Sequence, residues 1–268
     1  MSGKVYIVGA GPGAADLLTL RAATVLRAAR VVLHDDLVPQ EILDLCPASA
    51  QVVNVGKRCG NRGRSQEQIN ALMVWHAREM QAQTIVRLKS GDPAVFGRLG
   101  EELDALRRAG VEFEIVPGVT AAAAAAASAK ITLTDRRAAS ALVVVTAHNC
   151  RNESLSRTMF EPARSTYAIY MPGPDYSSTL KGLVESGQEL ATPCAVVSNA
   201  GRKDEEVRYL TLQELASVKG ISAPAMLIVG EVAREHLPGK QGDFLSKVSS
   251  EARDPYNQDQ SPLYLSLG

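Results

Sequence analysis

Near its start the chain reads Val5-Tyr6-Ile7-Val8-Gly9-Ala10-Gly11-Pro12-Gly13-Ala14. A β-branched run is broken by glycines and a proline, and a helical pattern follows over Leu17 to Ala29, with Leu17, Leu20 and Val25 on one side. Val31-Val32-Leu33 is the next strand pattern. Strand, tight turn, helix, strand is the unit that builds a parallel sheet. Further strands are expected at Val52–Val55, Thr84–Leu88 and Phe113–Val116. Helices are expected between them. One has a Ser65/Gln68 capping box with Ile69, Leu72, Met73, His76 and Met80 on one face; another carries Leu99, Leu103 and Leu106 and stops at Gly110. The chain is therefore read as α/β.

After Pro117-Gly118, Thr120 is a candidate N-cap for a helix with seven successive alanines, Ala121 to Ala127. Poly-Ala is both a strong helix former and a surface that lets a backbone or a flat ligand come close. The alternation then resumes, with strands expected at Leu142–Thr146, Tyr167–Met171, Cys194–Ser198, Val207–Leu210 and Met226–Val229. Helices fit Thr179–Ser186 and Leu212–Val218, the latter opened by a Thr211/Glu214 capping box. Arg208 between Val207 and Tyr209 suggests a strand with one wet face, in an antiparallel hairpin. Residues 241–268 read as a polar tail.

Lys plus Arg and Asp plus Glu both number 29 in 268 residues. That neutrality argues against a protein that coats nucleic acid. No apolar run reaches membrane-spanning length, and Met1 to Val5 lacks a signal pattern. Cys46, Cys59, Cys150 and Cys194 form no C-x-x-C pair and the four histidines are scattered, so no metal is expected. A reducing, cytoplasmic setting follows by default.

Three segments carry candidate chemistry. The Gly9–Ala14 turn fits a dinucleotide fingerprint, with Asp35 and Asp36 where a ribose-binding acid would sit. Pro12 removes a phosphate-binding amide and Asp16 would repel a pyrophosphate, so an uncharged βα turn is the competing reading. Lys89-Ser90-Gly91-Asp92-Pro93 sits at the carboxyl edge of the sheet, where ligands gather. Lys57, Arg58, Arg62 and Arg64 are either a solvated loop or a receptor for an anionic substrate.

Taken in order, Val8–Gly13, His34–Val38, Val55–Arg58, Gly91–Arg98, Pro117–Ala121, Leu133-Thr134 and Tyr170-Met171 resemble the tetrapyrrole methylases that use S-adenosylmethionine. The similarity runs from Lys4 to about Ala233, and the Gly-Lys-Arg and x-Asp-x-Leu-Val segments resemble the members acting on uroporphyrinogen III. It implies two α/β domains, residues 1–116 and 119–240, with the active site in the cleft between them, and a homodimer. It implies two methyl transfers to uroporphyrinogen III, through precorrin-1 to precorrin-2. Cofactor positions carry over to Pro12, Ser90, Gly91, Asp92, Val95, Thr120, Ala121, Met171 and Ala200, and proton-transfer roles to Asp35 and Lys57. Arg98 and Glu101 are associated with the tetrapyrrole; on the charge-cluster reading, Lys57, Arg58, Arg62 and Arg64 would receive its carboxylates. Departures from the family pattern fall at Asp36, Ser90, Asp135 and Ala147. The alternatives are a methylase of a later precorrin, a dinucleotide-dependent oxidoreductase and a non-catalytic tetrapyrrole carrier. The downstream product, sirohaem, cobalamin or haem d1, stays open.

Overall fold

The structure, a computed structural model, describes residues 3–56, 64–79, 83–147, 164–173, 175–219 and 221–238. They form two five-stranded sheets. The first takes β1 (Lys4–Gly9), β2 (Val31–His34), β3 (Gln51–Asn54), β4 (Thr84–Lys89) and β5 (Phe113–Val116). Its order is β3-β2-β4-β1-β5 and all its pairings are parallel. Helices α1 (Leu20–Arg27), α2 (Gln40–Leu43), α3 (Gln66–Glu79) and α4 (Leu99–Arg108) connect these strands. Apolar side chains alternate to the two faces of β1, so Val8 joins a core with Leu26 and Val32, and Val5 and Ile7 join one with Met73 and Leu106.

Local signals place the helix ends. Ser65 and Gln68 bond reciprocally, and Gly110 at φ +66° closes α4. The expected helix Leu17–Ala29 is divided. A short 3-10 turn covers Ala15–Leu17, and Thr19 Oγ1 accepts from the Ala22 amide to start α1 afresh. Leu20, expected to share the side of Leu17 and Val25, is 88% exposed. Met80 lies outside the described residues.

The second sheet takes β6 (Ala141–Thr146), β7 (Ser165–Tyr170), β8 (Pro193–Ser198), β9 (Glu206–Thr211) and β10 (Ala225–Val229), in the order β6-β7-β10-β8-β9. Only β6 and β7 run parallel; β10 and β9 pair antiparallel to their neighbours. Arg208 thus sits in the antiparallel hairpin partner of β8, as its pattern suggests. Helix α5 (Ala121–Ser128) packs on β7 and β10. Ala122, Ala124, Ala125 and Ala126 enter a core with Ala168 and Ala195, where small side chains bring helix and sheet close together. Helices α6 (Ser177–Glu185) and α7 (Leu212–Leu215) complete this half, with the Thr211/Glu214 capping box formed at the start of α7.

Among the described residues, the helices and strands of each half make their broad contacts within that half. The halves are joined at Pro117–Thr120 and face one another through loops.

Candidate active site

The carboxyl ends of β1, β4 and β5 converge on one point. The Gly11 amide donates to the Gly91 carbonyl (3.1 Å), the Gly91 amide to Gly11 (2.8 Å), and the Ala10 amide to Lys89 (2.7 Å). A Cβ at Gly9 would lie 2.6 Å from the Gly118 nitrogen, and one at Gly118 would lie 2.4 Å from the Gly91 oxygen. Only glycine permits this three-way approach. Asp92 fastens it, accepting from the Ala94 amide (2.8 Å) and the Gly118 amide (3.0 Å).

That stitching corrects the dinucleotide reading of the first turn. The Gly11 amide is already bonded, Pro12 has none, and α1 begins only at Leu20 with Thr19 as its cap. A pyrophosphate would therefore find neither the Gly11 amide nor the first turn of α1 free to bind it.

Between the halves lies a cavity of about 350 Å³, large enough for a small-molecule ligand. All nine positions named from the sequence as cofactor-binding line it. Pro12, Ser90, Gly91, Asp92 and Val95 come from the first half. Thr120, Ala121, Met171 and Ala200 come from the second. Thr120 does not cap α5 with its side chain; Thr120 Oγ1 bonds the Tyr170 hydroxyl, which accepts from the Ala122 amide (3.2 Å). Phe96, whose ring centroid is 5.0 Å from that of Tyr170, and Met171 also line the cavity, and both are held at φ +50°. Non-glycine residues in this region are strained and gather where function over-determines the backbone. Ser90 Oγ is buried without a hydrogen-bond partner, an orphaned polar atom at the wall of this cavity.

Asp35 and Asp36 lie just beyond β2, and both line the cavity. Opposite strand faces do not separate them, because the strand ends at His34. Their partners differ. Asp36 accepts from Asn54 Nδ2 (3.0 Å). Asp35 accepts from Arg87 Nη2 (2.5 Å) and from the Ser90 amide (3.3 Å).

Arg87 opens a buried charge cluster that sequence reasoning missed. Its Nε donates to Glu102 (2.9 Å), its Nη1 to the Leu33 and Leu88 carbonyls, and Lys89 Nζ lies 2.9 Å from the other Glu102 oxygen. The Arg87, Lys89 and Glu102 side chains are 3% exposed or less. Two cations and two anions balance, which is how buried charge is tolerated. Burial, with the Arg87 charge beside it, pulls Lys89 below the ordinary lysine range. The available signal was two charges at alternate positions of a central strand whose Ile85, Val86 and Leu88 are apolar.

A second cavity of about 230 Å³ adjoins the first, sharing Asp35, Gly56, Phe96 and Gly97. Arg64, Arg87, Lys89 and Arg98 line it; Asp35 and Glu102 balance Arg87 and Lys89, and Glu101 pairs with Arg98. Arg98 therefore lines this cavity and not the cofactor-sized one. It caps α4 in a left-handed conformation (φ +54°), and its guanidinium forks onto Glu101 at 2.8 and 2.7 Å. Arg98 holds the Glu101 carboxyl below its ordinary range. Arg64 donates to the Asn54 carbonyl (3.0 Å). Lys57, Arg58 and Arg62 lie outside the described residues. Asp135 is bound by Arg137, which pulls its pKa down to about 2, and it lines a different cavity with Arg164 and Glu231.

Residues 4–216 match the family model of the tetrapyrrole (corrin/porphyrin) methylases. A siroheme synthase of Pectobacterium atrosepticum is 44% identical over 237 residues, covering 87% of this chain and 49% of the relative. The chain spans about half the length of the curated relatives it matches. Among solved structures, uroporphyrin III C-methyltransferase from Thermus thermophilus is 37% identical with a TM-score of 0.75, covering 87% of this chain and 99% of that one. It has also been solved with S-adenosylhomocysteine. A cobalt precorrin-4 methyltransferase is 31% identical with a TM-score of 0.74, covering 86% and 95%.

Proposed function

The chain belongs to the tetrapyrrole (corrin/porphyrin) methylases, and on that premise we propose that it methylates carbons of uroporphyrinogen III from S-adenosylmethionine, twice, giving precorrin-2 by way of precorrin-1. One observation carries this reading: the nine cofactor positions, scattered from Pro12 to Ala200, meet in one cavity whose edge is Asp35. S-Adenosylmethionine supplies a methyl already activated on a sulfonium. The cavity suits it. The ligand has no phosphate, and the wall offers apolar side chains and the close-set Gly91 backbone.

The protein's own tasks are then alignment, exclusion of water and management of charge. The cavity beside Asp35, lined by Arg64 and Arg98, is where the carboxylate-rich edge of the macrocycle would lie. Arg98 holds one of those carboxylates, its fork oriented by Glu101 from the next turn. Methylation of a neutral carbon leaves a positive charge that proton loss relieves. Asp35, held by Arg87 and the Ser90 amide, is the carboxylate placed to take that proton. Lys57, with Arg58 and Arg62, extends the same basic segment as Arg64.

The domain boundaries belong to the same reading, 1–116 and 119–240, with 241–268 as a tail. So do a homodimer and a cytoplasmic setting; no helix among the described residues is long and apolar enough to cross a membrane. The test is anaerobic incubation with uroporphyrinogen III and S-adenosylmethionine, followed by mass spectrometry of the macrocycle. Two added methyl groups are expected. Methylation of a later precorrin alone would move the chain to the neighbouring activity.

A further inference from the structure

We infer that Arg202 is a latch across the cleft: a positioning residue that ties the second half to the cofactor turn and to the Asp35 loop, and so sets how fast cofactor leaves. Arg202 follows β8 in the turn Asn199-Ala200-Gly201-Arg202. Its Nε donates to the Pro12 carbonyl (3.2 Å) and its Nη2 to the Leu37 carbonyl (2.7 Å). Pro12 lies in the turn after β1, and Leu37 follows the two acids after β2. All three residues line the cavity between the halves.

The surroundings are shaped for this arm. A Cβ at Gly13 would lie 2.6 Å from Arg202 Nε, so a side chain there would evict the guanidinium. Gly201, at φ +71°, comes so close to the first half that a Cβ would lie 2.8 Å from Leu17 Cδ1 and 3.2 Å from Pro12 Cγ. The base of the arm is rigid. The Arg202 amide donates to Asn199 (2.9 Å), and the Gly201 amide to Glu205 (2.7 Å). Glu205 also accepts from Ser128 Oγ (2.5 Å) at the end of α5.

Among the described residues the two halves otherwise meet through loops and their connection, Val95 and Phe96 packing against the second half, and not through broad helix or strand contacts. Two charge-assisted hydrogen bonds are then a considerable part of what holds the cleft closed. The acceptors of Arg202 are main-chain oxygens of the two loops that present Pro12 and Asp35, so one side chain registers both against Ala200 and Met171.

This rests on the cofactor reading above, and its test separates the two. Arg202→Met keeps bulk and length and removes the donors. Arg202→Lys keeps the charge and loses the fork. S-Adenosylhomocysteine release should quicken about tenfold or more in Arg202→Met, and Arg202→Lys should fall between it and wild type. Without any ligand, amide hydrogen exchange at residues 36–38 should also quicken in Arg202→Met, while α3 and β1 keep their protection. Release within twofold of wild type would overturn the latch. Faster release with unchanged exchange at 36–38 would also overturn it and make Arg202 a direct cofactor contact. If wild type binds no S-adenosylhomocysteine the cofactor reading fails, and the exchange comparison still decides the latch.

Discussion

In the proposed function, grip falls to Arg98 and proton transfer to Asp35. Arg98 is half exposed, with a 53% accessible side chain, and its fork is already shaped by Glu101. Arg98→Lys keeps the charge but not the planar pair of donors. Turnover should fall about 10²-fold, the scale of a misplaced reactant, with S-adenosylhomocysteine affinity unchanged by calorimetry. Near-normal turnover would remove Arg98 from the positioning role. Asp35→Asn should lower turnover about 10²–10⁴-fold, as for a lost general base, again with cofactor binding kept. Asp36→Asn, which weakens the bond from Asn54 and leaves the Arg87–Asp35 pair intact, should be mild. Steady-state rates that rank the two mutants the other way would move the proton-transfer role to Asp36. The basic Lys89 and Arg87 behind Asp35 were hidden from a linear reading, because Glu102, the anion that balances them, lies 15 residues beyond Arg87. A charge on a strand looks solvated until its distant partner is known.

Helices whose ends are settled by near neighbours were the most legible elements. The Ser65/Gln68 and Thr211/Glu214 boxes are three-residue signals, and both form. Thr120 was misleading because Tyr170, 50 residues on, places its hydroxyl where the cap would be. The division of α1 followed from Thr19, which competes locally for the helix start. Helix α3 carries a pH signature. His76 is 2% exposed, its Nδ1 has no partner, and burial lowers its pKa from 6.5. The unfolded chain therefore binds a proton below about pH 6.5 that the folded chain resists. Stability should fall as pH drops through that value. Denaturant melts at pH 7.5 and 5.5 should show a smaller difference in His76→Phe than in wild type; an equal difference would place the dependence elsewhere.

Across the whole molecule, the first sheet was legible as parallel from its strand–turn–helix rhythm, because strands buried on both faces are nearly pure Val, Ile and Leu. The pairing of the second sheet was not, since β10 inserts between β7 and β8 through contacts no local pattern encodes. The cavity was legible only through family resemblance. Its walls come from residues up to Met226, and small residues such as Gly91 and Ala121 matter there for the space they leave. Gly91 decides the matter most directly. At φ +67° its Cβ position has, apart from its chain neighbours, no protein atom nearer than the Ala121 nitrogen, at 4.0 Å, so a side chain there would project into the space proposed for the ligand. Calorimetric titration of S-adenosylhomocysteine into wild type, Gly91→Ala and Gly91→Val is the measurement, with thermal melts to confirm folding. We expect saturable one-site binding in wild type, weaker binding in Gly91→Ala and none in folded Gly91→Val. Equal affinity in all three would contradict a cofactor site at this cavity.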